Sequence, residues 1–325
     1  MYNTDQEIKY GGVIPPEIGS DWIRGVNSQI AYEARCDEWA RWLSSPENQY
    51  TNRGDFMNCV SQSFVDNMEI QLNWLVMNKF SKKQIDELEA LGYINSITRK
   101  IEISPRALGK MSGTTRQGNS QNKVAETARL QGLIPKSDWD IKDGMTWDEY
   151  YAEIPQSLLD KAKKILDYIT INYEWIVTDG SNPQGDYAKI NEILAKEVKQ
   201  APIQITFPIC PAYRGRQSNP SQPIMTCNLI SPEHAADLYD VKLDDLGRNN
   251  RYIRDSYPPY NIIFANNYPI PYALKILATP EIDDSEYEYH EIVTPNASIK
   301  TTKDQGFWER IKSILQGMGI TFTFK

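Results

Sequence analysis

The 325-residue sequence predicts an α+β fold, a helical half followed by a sheet half. Three observations lead there. Apolar residues recur at helical spacing through most of the chain up to about residue 198. Strand formers in alternating order take over from residue 202. The composition, 40% hydrophobic and 24% charged, is that of a chain that folds around a core.

Residues 1–25 read as irregular, punctuated by Gly-Gly and Pro-Pro. Ile30, Ala34, Trp39 and Trp42 stand near helical spacing and predict a helix over 28–45. PENQYTNRGDFMN, 46–58, is rich in turn residues and reads as a loop. From Cys59 a helix is expected to about Phe80, with Val60, Phe64, Met68, Leu72 and Leu75 on one stripe. SKKQIDELEALG, 81–92, predicts a short helix with Ser81 as N-cap and Gly92 just past its end. ISPRALGKM opens another, and NSQNKVAETARLQG, 119–132, is a third with a glycine stop. Long helices are expected over 154–177 and 186–198. Strands are predicted at 202–209, 234–243, 251–256 and 272–277. The tail predicts an amphipathic helix (Phe307, Trp308, Ile311, Ile314, Leu315) and a terminal strand.

Several function classes are disfavoured. A net charge of −8 argues against broad nucleic-acid binding, which needs basic surface to neutralise phosphates. No stretch approaches the ~20 apolar residues of a membrane span. The N-terminus lacks the apolar core of a signal peptide, so a cytoplasmic or virion-associated protein is expected. The four cysteines are scattered and form no CxxC pair, so neither a disulfide scaffold nor a cysteine zinc site is expected. No metal or cofactor is anticipated.

The chemistry concentrates in GDFMNCVSQSF, 54–64, where Cys59 opens the long helix. A helix N-terminus carries unsatisfied N–H groups and partial positive charge, which stabilise a thiolate. The cysteine N–H can also face a developing oxyanion. The plainer alternative is a small core residue at a helix start. A thiol nucleophile needs a base, and the chain has two histidines. His290 lies in the acidic stretch DDSEYEYHEI and reads as solvated. His234 opens an alternating segment and could face a cleft, or be a satisfied rim histidine. Asp255, near the end of the next strand, could orient it, or simply begin a turn before SYPP.

The order of these pieces resembles the papain-like cysteine peptidases. GDFMNCVSQSF resembles that family's Gly-x-x-Gly-Ser-Cys-Trp-x-Phe segment, and SPRALGK its S-x-x-x-L-x-x-C helix. GNSQNKVAETARLQGLIPKSDW resembles the following glycine turn and helix. INEILAKEVKQAPIQITFPICPAYRG, EHAADLYDVKL and RYIRDSY resemble the family's later helix and strand, its NHAVLVVGY strand and its YWIVKNSWG strand. Together they cover roughly 50–140 and 186–278.

The resemblance implies a two-lobed papain-like domain over 50–280. It would carry a helical insertion at about 141–185, an N-terminal extension over 1–49 and a C-terminal extension over 281–325. That insertion would explain a cysteine–histidine spacing longer than the usual ~130–150 residues. Cys59 would be the nucleophile, His234 the base and later acid, and Asp255 the orienting group. The reaction would be attack on a peptide carbonyl through a thioester.

The departures carry information. Asp255 stands where the family has asparagine, and its charge should raise the histidine pKa. Val60 replaces the tryptophan after the nucleophile, and Tyr257 the tryptophan that shields the histidine. The oxyanion glutamine, expected about six residues before the cysteine, falls on NRG, so Asn52 or Arg53 would serve. The Gly-Gly substrate turn is reduced to Gly118-Asn119, grouped here with Tyr257 as candidate substrate contacts. No room is left for an inhibitory propeptide of ordinary length. Such diverged chains are similar to ones in phage and uncultured-bacterial sequences. Two readings therefore stand: a thiol peptide or amide hydrolase acting on a peptide or protein, and a weakened papain-like module in a larger assembly, a virion among them. The second would use Phe307, Trp308, Ile311 and Leu315 as a protein-binding face.

Overall fold

The computed structural model describes residues 12–15, 23–24, 35–36, 38–178, 187–215, 223–224, 227, 229 and 231–281. All belong to one compact unit, residues 1–282. The expected tail helix and strand, His290 and residues 28–34 lie outside the described residues.

The centre is α1 (Cys59–Asn78), 20 residues long and buried on nearly every side. Its apolar stripe, Val60, Phe64, Met68, Leu72 and Leu75, is fully buried. It packs with Leu88 of α2 (Lys82–Ala90), Leu108 of α3 (Pro105–Met111) and Val124, Ala125 and Ala128 of α4 (Gln121–Gln131). Truncating Phe64 to alanine here would cost about 3–5 kcal/mol.

The caps follow the sequence. Ser81 Oγ accepts from Gln84 N at 3.3 Å while Ser81 N donates to Gln84 Oε1 at 2.9 Å, a complete capping box. Ser104 caps α3 ahead of Pro105.

Among the described residues a seven-stranded, wholly antiparallel sheet runs in the order β1-β4-β9-β5-β6-β7-β8. The strands are β1 (Ile23–Arg24), β4 (Ile169–Val177), β5 (Ile203–Phe207), β6 (His234–Leu243), β7 (Asn249–Arg254), β8 (Asn261–Phe264) and β9 (Tyr272–Pro280). β5 is buried along its whole length because both faces are covered. Gln204 reaches α1, whereas Ile203 and Ile205 pack with Leu194 of α7 (Tyr187–Glu197) and with Val198.

Three expectations need correction. The helix expected over 154–177 is α6 (Gln156–Ala162), a 3-10 turn (Lys163–Asp167) and then β4. Ile169, Ile171, Tyr173 and Val177 are buried in strand-like alternation, and β4 pairs along its length with β9. The segment 141–185 is thus only partly helical, and it contributes a strand to the main sheet. Within 28–45, the described helical part is a 3-10 turn, Trp39–Trp42, anchored by Trp39 Nε1 donating to Val198 O. The loop at 46–58 contains a small hairpin, β2 (Tyr50–Thr51) and β3 (Gly54–Asp55). Strand β8 was not anticipated. Two further short helices are α5 (Trp147–Tyr150) and α8 (Pro211–Arg214). No helix among the described residues is long and apolar enough to cross a membrane.

Candidate active site

Cys59 is the first residue of α1 and is fully buried. The turn leading into it is built by specific contacts. Met57 sits in the left-handed region, with φ of 53°, and its N–H donates to Asp55 Oδ1 at 2.7 Å. A non-glycine residue held there marks a segment whose surroundings over-determine it. Asn58 Nδ2 donates to Pro105 O and to Tyr150 Oη, each at 2.9 Å. Gly109 makes that possible, because a Cβ there would lie 2.2 Å from Asn58 Oδ1.

His234 is the first residue of β6, paired with Phe207 of β5. Asp255 follows β7, the next strand of the sheet. The register brings them together: His234 Nε2 lies 2.8 Å from Asp255 Oδ1, with both side chains buried. Asp255 Oδ1 also accepts from Tyr257 N at 3.3 Å, and Oδ2 accepts from Tyr213 Oη at 2.6 Å. The imidazole is walled by Phe207, edge-on at 5.2 Å, and by Tyr257 at 5.0 Å between ring centroids.

This setting decides the histidine's protonation. Burial disfavours the imidazolium, but the Asp255 charge and hydrogen bond, then Cys59, outweigh it and raise the pKa to about 9. The other ring nitrogen, Nδ1, has no partner at full hydrogen-bond distance among the described residues, and the Cys59 thiol is the side chain that acts on the ring beside Asp255.

The structure does not bring Asn52 or Arg53 to this cluster. Both are exposed at the turn between β2 and β3. Asn52 Oδ1 lies beside Gly144, and the Arg53 charge acts on Glu149. The buried amide is instead Gln49. Its Nε2 donates to Tyr257 Oη at 2.6 Å and Asp55 Oδ1 at 2.9 Å, and its Oε1 accepts from Ser256 Oγ at 2.8 Å. Tyr257 Oη in turn donates to Asp55 Oδ2. Gln49 escaped the sequence reading because the hairpin is inserted between it and Cys59. Tyr257, only 4% exposed, lies over the imidazole.

Gly118 and Asn119 lie against residues 12–14, and the chain itself pairs with Asn119. Asn119 N donates to Gly12 O and Ile14 N donates to Asn119 O, each at 2.8 Å, so Val13 bridges Asn119 in parallel. Gly118, at φ 93°, has no room for a side chain: a Cβ would sit 1.8 Å from Gly12 O. A Cβ on Gly12 would in turn be 3.2 Å from Cys59 Sγ. Gly12, at the start of the segment that pairs with Asn119, thus lies against the thiol.

Comparison with known proteins gives likeness in structure only. The sequence matches no protein-family model and no curated protein. Among solved structures, the chain is similar to bromelain protease from Ananas comosus, at 14% identity and a TM-score of 0.47, over 75% of this chain and 97% of that one. It is similar to digestive procathepsin L 3 of Tenebrio molitor, at 14% identity and a TM-score of 0.49, over 85% and 77%. It is also similar to the ragweed pollen cysteine protease Amb a 11 in its proform, at 12% identity and a TM-score of 0.45, over 75% and 65%.

Proposed function

We propose that this protein is a papain-like thiol hydrolase that cleaves peptide or amide bonds. Cys59 is the nucleophile, His234 the base and acid, and Asp255 the orienting carboxylate. One observation carries the reading. A buried imidazole has one nitrogen committed to a carboxylate, and the cysteine that acts on the same ring opens a helix.

The chemistry follows from those roles. With its pKa raised, His234 already holds the proton of the Cys59–His234 pair at neutral pH, on Nδ1, and this imidazolium is stabilised by Asp255 through Nε2. The thiolate attacks the carbonyl carbon, and negative charge moves onto the carbonyl oxygen. The Cys59 N–H, one of the unsatisfied donors of the first helical turn, is assigned to that oxygen. The Gln49 amide is assigned as the second donor, turning from Tyr257 as substrate enters. His234 returns the proton to the leaving amine as the C–N bond breaks and a thioester remains. A water, deprotonated by His234, then attacks the thioester and releases the acid and the thiol.

A peptide suits this site because Asn119 offers both a main-chain N–H and C=O to an extended segment, as residues 12–14 use them. Beside it, a cavity of about 480 Å³ between α4 and β4 leaves room for a substrate side chain. Access to Cys59 requires residues 12–15 to move aside.

The test is turnover of a fluorogenic peptide library by wild type, Cys59→Ala and His234→Ala. Loss of turnover in both variants with an unchanged melting temperature is expected. Turnover that survives Cys59→Ala, or a wild type with none after residues 12–15 are displaced, would refute the assignment.

A further inference from the structure

We infer that Tyr213 is a positioning residue that holds the Asp255 carboxylate in register with His234. The inference rests on the hydrolase reading above and deepens it. A carboxylate has two oxygens to satisfy, and in a dry site each needs a donor. Oδ1 serves His234 and the Tyr257 N–H. Oδ2 is held by the Tyr213 hydroxyl at 2.6 Å, between two side chains that are both buried. With both oxygens held, rotation of the carboxylate about its Cβ–Cγ bond is blocked. Oδ1 therefore stays in the direction of Nε2.

Tyr213 is itself fixed. It lies on α8, whose Pro211 occupies the first turn and whose end is closed by Gly215 N donating to Pro211 O at 2.9 Å. Its ring packs at 5.2 Å from Phe207, the strand partner of His234, and at 5.9 Å from the imidazole. The short helix thus carries the donor to the carboxylate on the same aromatic wall that confines the base.

The choice of donor matters. A phenol satisfies Oδ2 without adding a positive charge that would compete with the imidazolium for Asp255. It also discriminates between side chains at 255. An asparagine there keeps an acceptor for His234 only by turning its NH₂ toward Tyr213, so the phenol must give up donating to it. Tyr213 and an aspartate at 255 form a matched pair. Among the described residues, the charged and titratable groups facing His234 are Asp255 from the end of β7, Cys59 from α1, Asp55 from β3 and the phenols of Tyr257 and Tyr213. Asp66 on α1 bears on Asp255.

The experiment is a double-mutant cycle of Tyr213→Phe and Asp255→Asn, read by NMR titration of the His234 ring and by kcat and KM. Tyr213→Phe keeps the ring and its packing, so the fold should persist. In the Asp255 background it is expected to displace the His234 midpoint by several tenths of a unit. There it should lower kcat about tenfold with KM little changed, the loss of one charge-assisted hydrogen bond. In the Asp255→Asn background both effects should largely vanish. An unmoved midpoint in the Asp255 background, or equal displacement in both backgrounds, would overturn the inference. The titration needs no turnover, so it still tests Tyr213 if wild type proves inactive, an outcome that sinks only the hydrolase reading.

Discussion

Gly118→Ala should uncover Cys59, and the structure sets the size of the effect. The new Cβ would fall 1.8 Å from Gly12 O and 2.1 Å from Gly12 Cα, where no real Cβ contact exists. Backbone rather than a flexible side chain stands in its way, so residues 12–15 must leave the Asn119 edge. The segment is held there by two main-chain hydrogen bonds of 2.8 Å. At about 0.5–1.5 kcal/mol net each, they amount to roughly 1–3 kcal/mol. Displacing a segment held by that much should raise the exposed fraction of the thiol by about 5- to 150-fold, since 1.4 kcal/mol is a factor of ten. The assay is the rate of Cys59 alkylation by iodoacetamide, mapped by mass spectrometry, in wild type and variant. Gly247→Ala is the control, because it places alanine at φ 71° with nothing within 4 Å of the new Cβ. That control carries backbone strain without a clash. Equal Cys59 labelling in Gly118→Ala and wild type, or equal acceleration in Gly247→Ala, would refute the reasoning.

Two further outcomes follow from the site and its surroundings. Gln49→Ala should lower kcat of the opened enzyme by about 10²–10³, the usual loss for one oxyanion donor, whereas Asn52→Ala and Arg53→Ala should change it less than about twofold; the reverse ranking in steady-state kinetics would return the role to the hairpin. Stability should fall from pH 5 to pH 9 in urea melts. Burial, only partly offset by Lys136 and Arg254, raises Glu47 and Asp66 to about 7 from ordinary values of 4.5 and 3.8. His234 stands at about 9 against an ordinary 6.5. In each case the folded state keeps a proton that the unfolded chain has lost. The stabilisation is therefore complete below the unfolded pKa and disappears as pH rises through the folded one, at about 1.4 kcal/mol per unit of displacement. Glu47→Gln with Asp66→Asn should flatten the slope between pH 5 and 7, and a melting midpoint that rises over that interval would contradict the argument.

What the sequence could reveal depended on how local the determinants were. The start of α1 at Cys59, the N-cap at Ser81 and the start of β6 at His234 are set by neighbours within a few residues, and each was legible. Strand β4 was not. Leu159, Ala162, Ile165 and Ile169 continue a helical stripe with no glycine or proline to interrupt it. Only pairing with β9, a hundred residues on, selects the strand. Gln49, the residue proposed for the oxyanion, was hidden for a different reason: the hairpin at 50–55 lies between it and Cys59. Residues 12–15 looked like glycine-proline punctuation because their partner, Asn119, is remote in sequence.

The apolar stripe of α1 accounts for its burial but not for the placement of Cys59. Hydrophobic contact is non-directional and leaves a helix free to slide on a sheet. A polar row along the flank of that stripe removes the freedom. Ser63 donates to Cys59 O at 2.8 Å and accepts from Gln204 of β5 at 2.8 Å, and Gln204 also donates to Val60 O at 2.7 Å. One turn later Asn67 donates to Asp237 of β6 at 2.9 Å. Another turn on, Gln71 donates to Ile276 O of β9 at 2.9 Å and accepts from Ala278 N at 3.0 Å. The i, i+4, i+8 row therefore fastens the helix to three adjacent strands by directional bonds in a buried setting. There a one-residue slip would leave several polar groups unpaired, each at about 1–3 kcal/mol. The polar row thus holds the cysteine at the helix start in register with the histidine at the strand start.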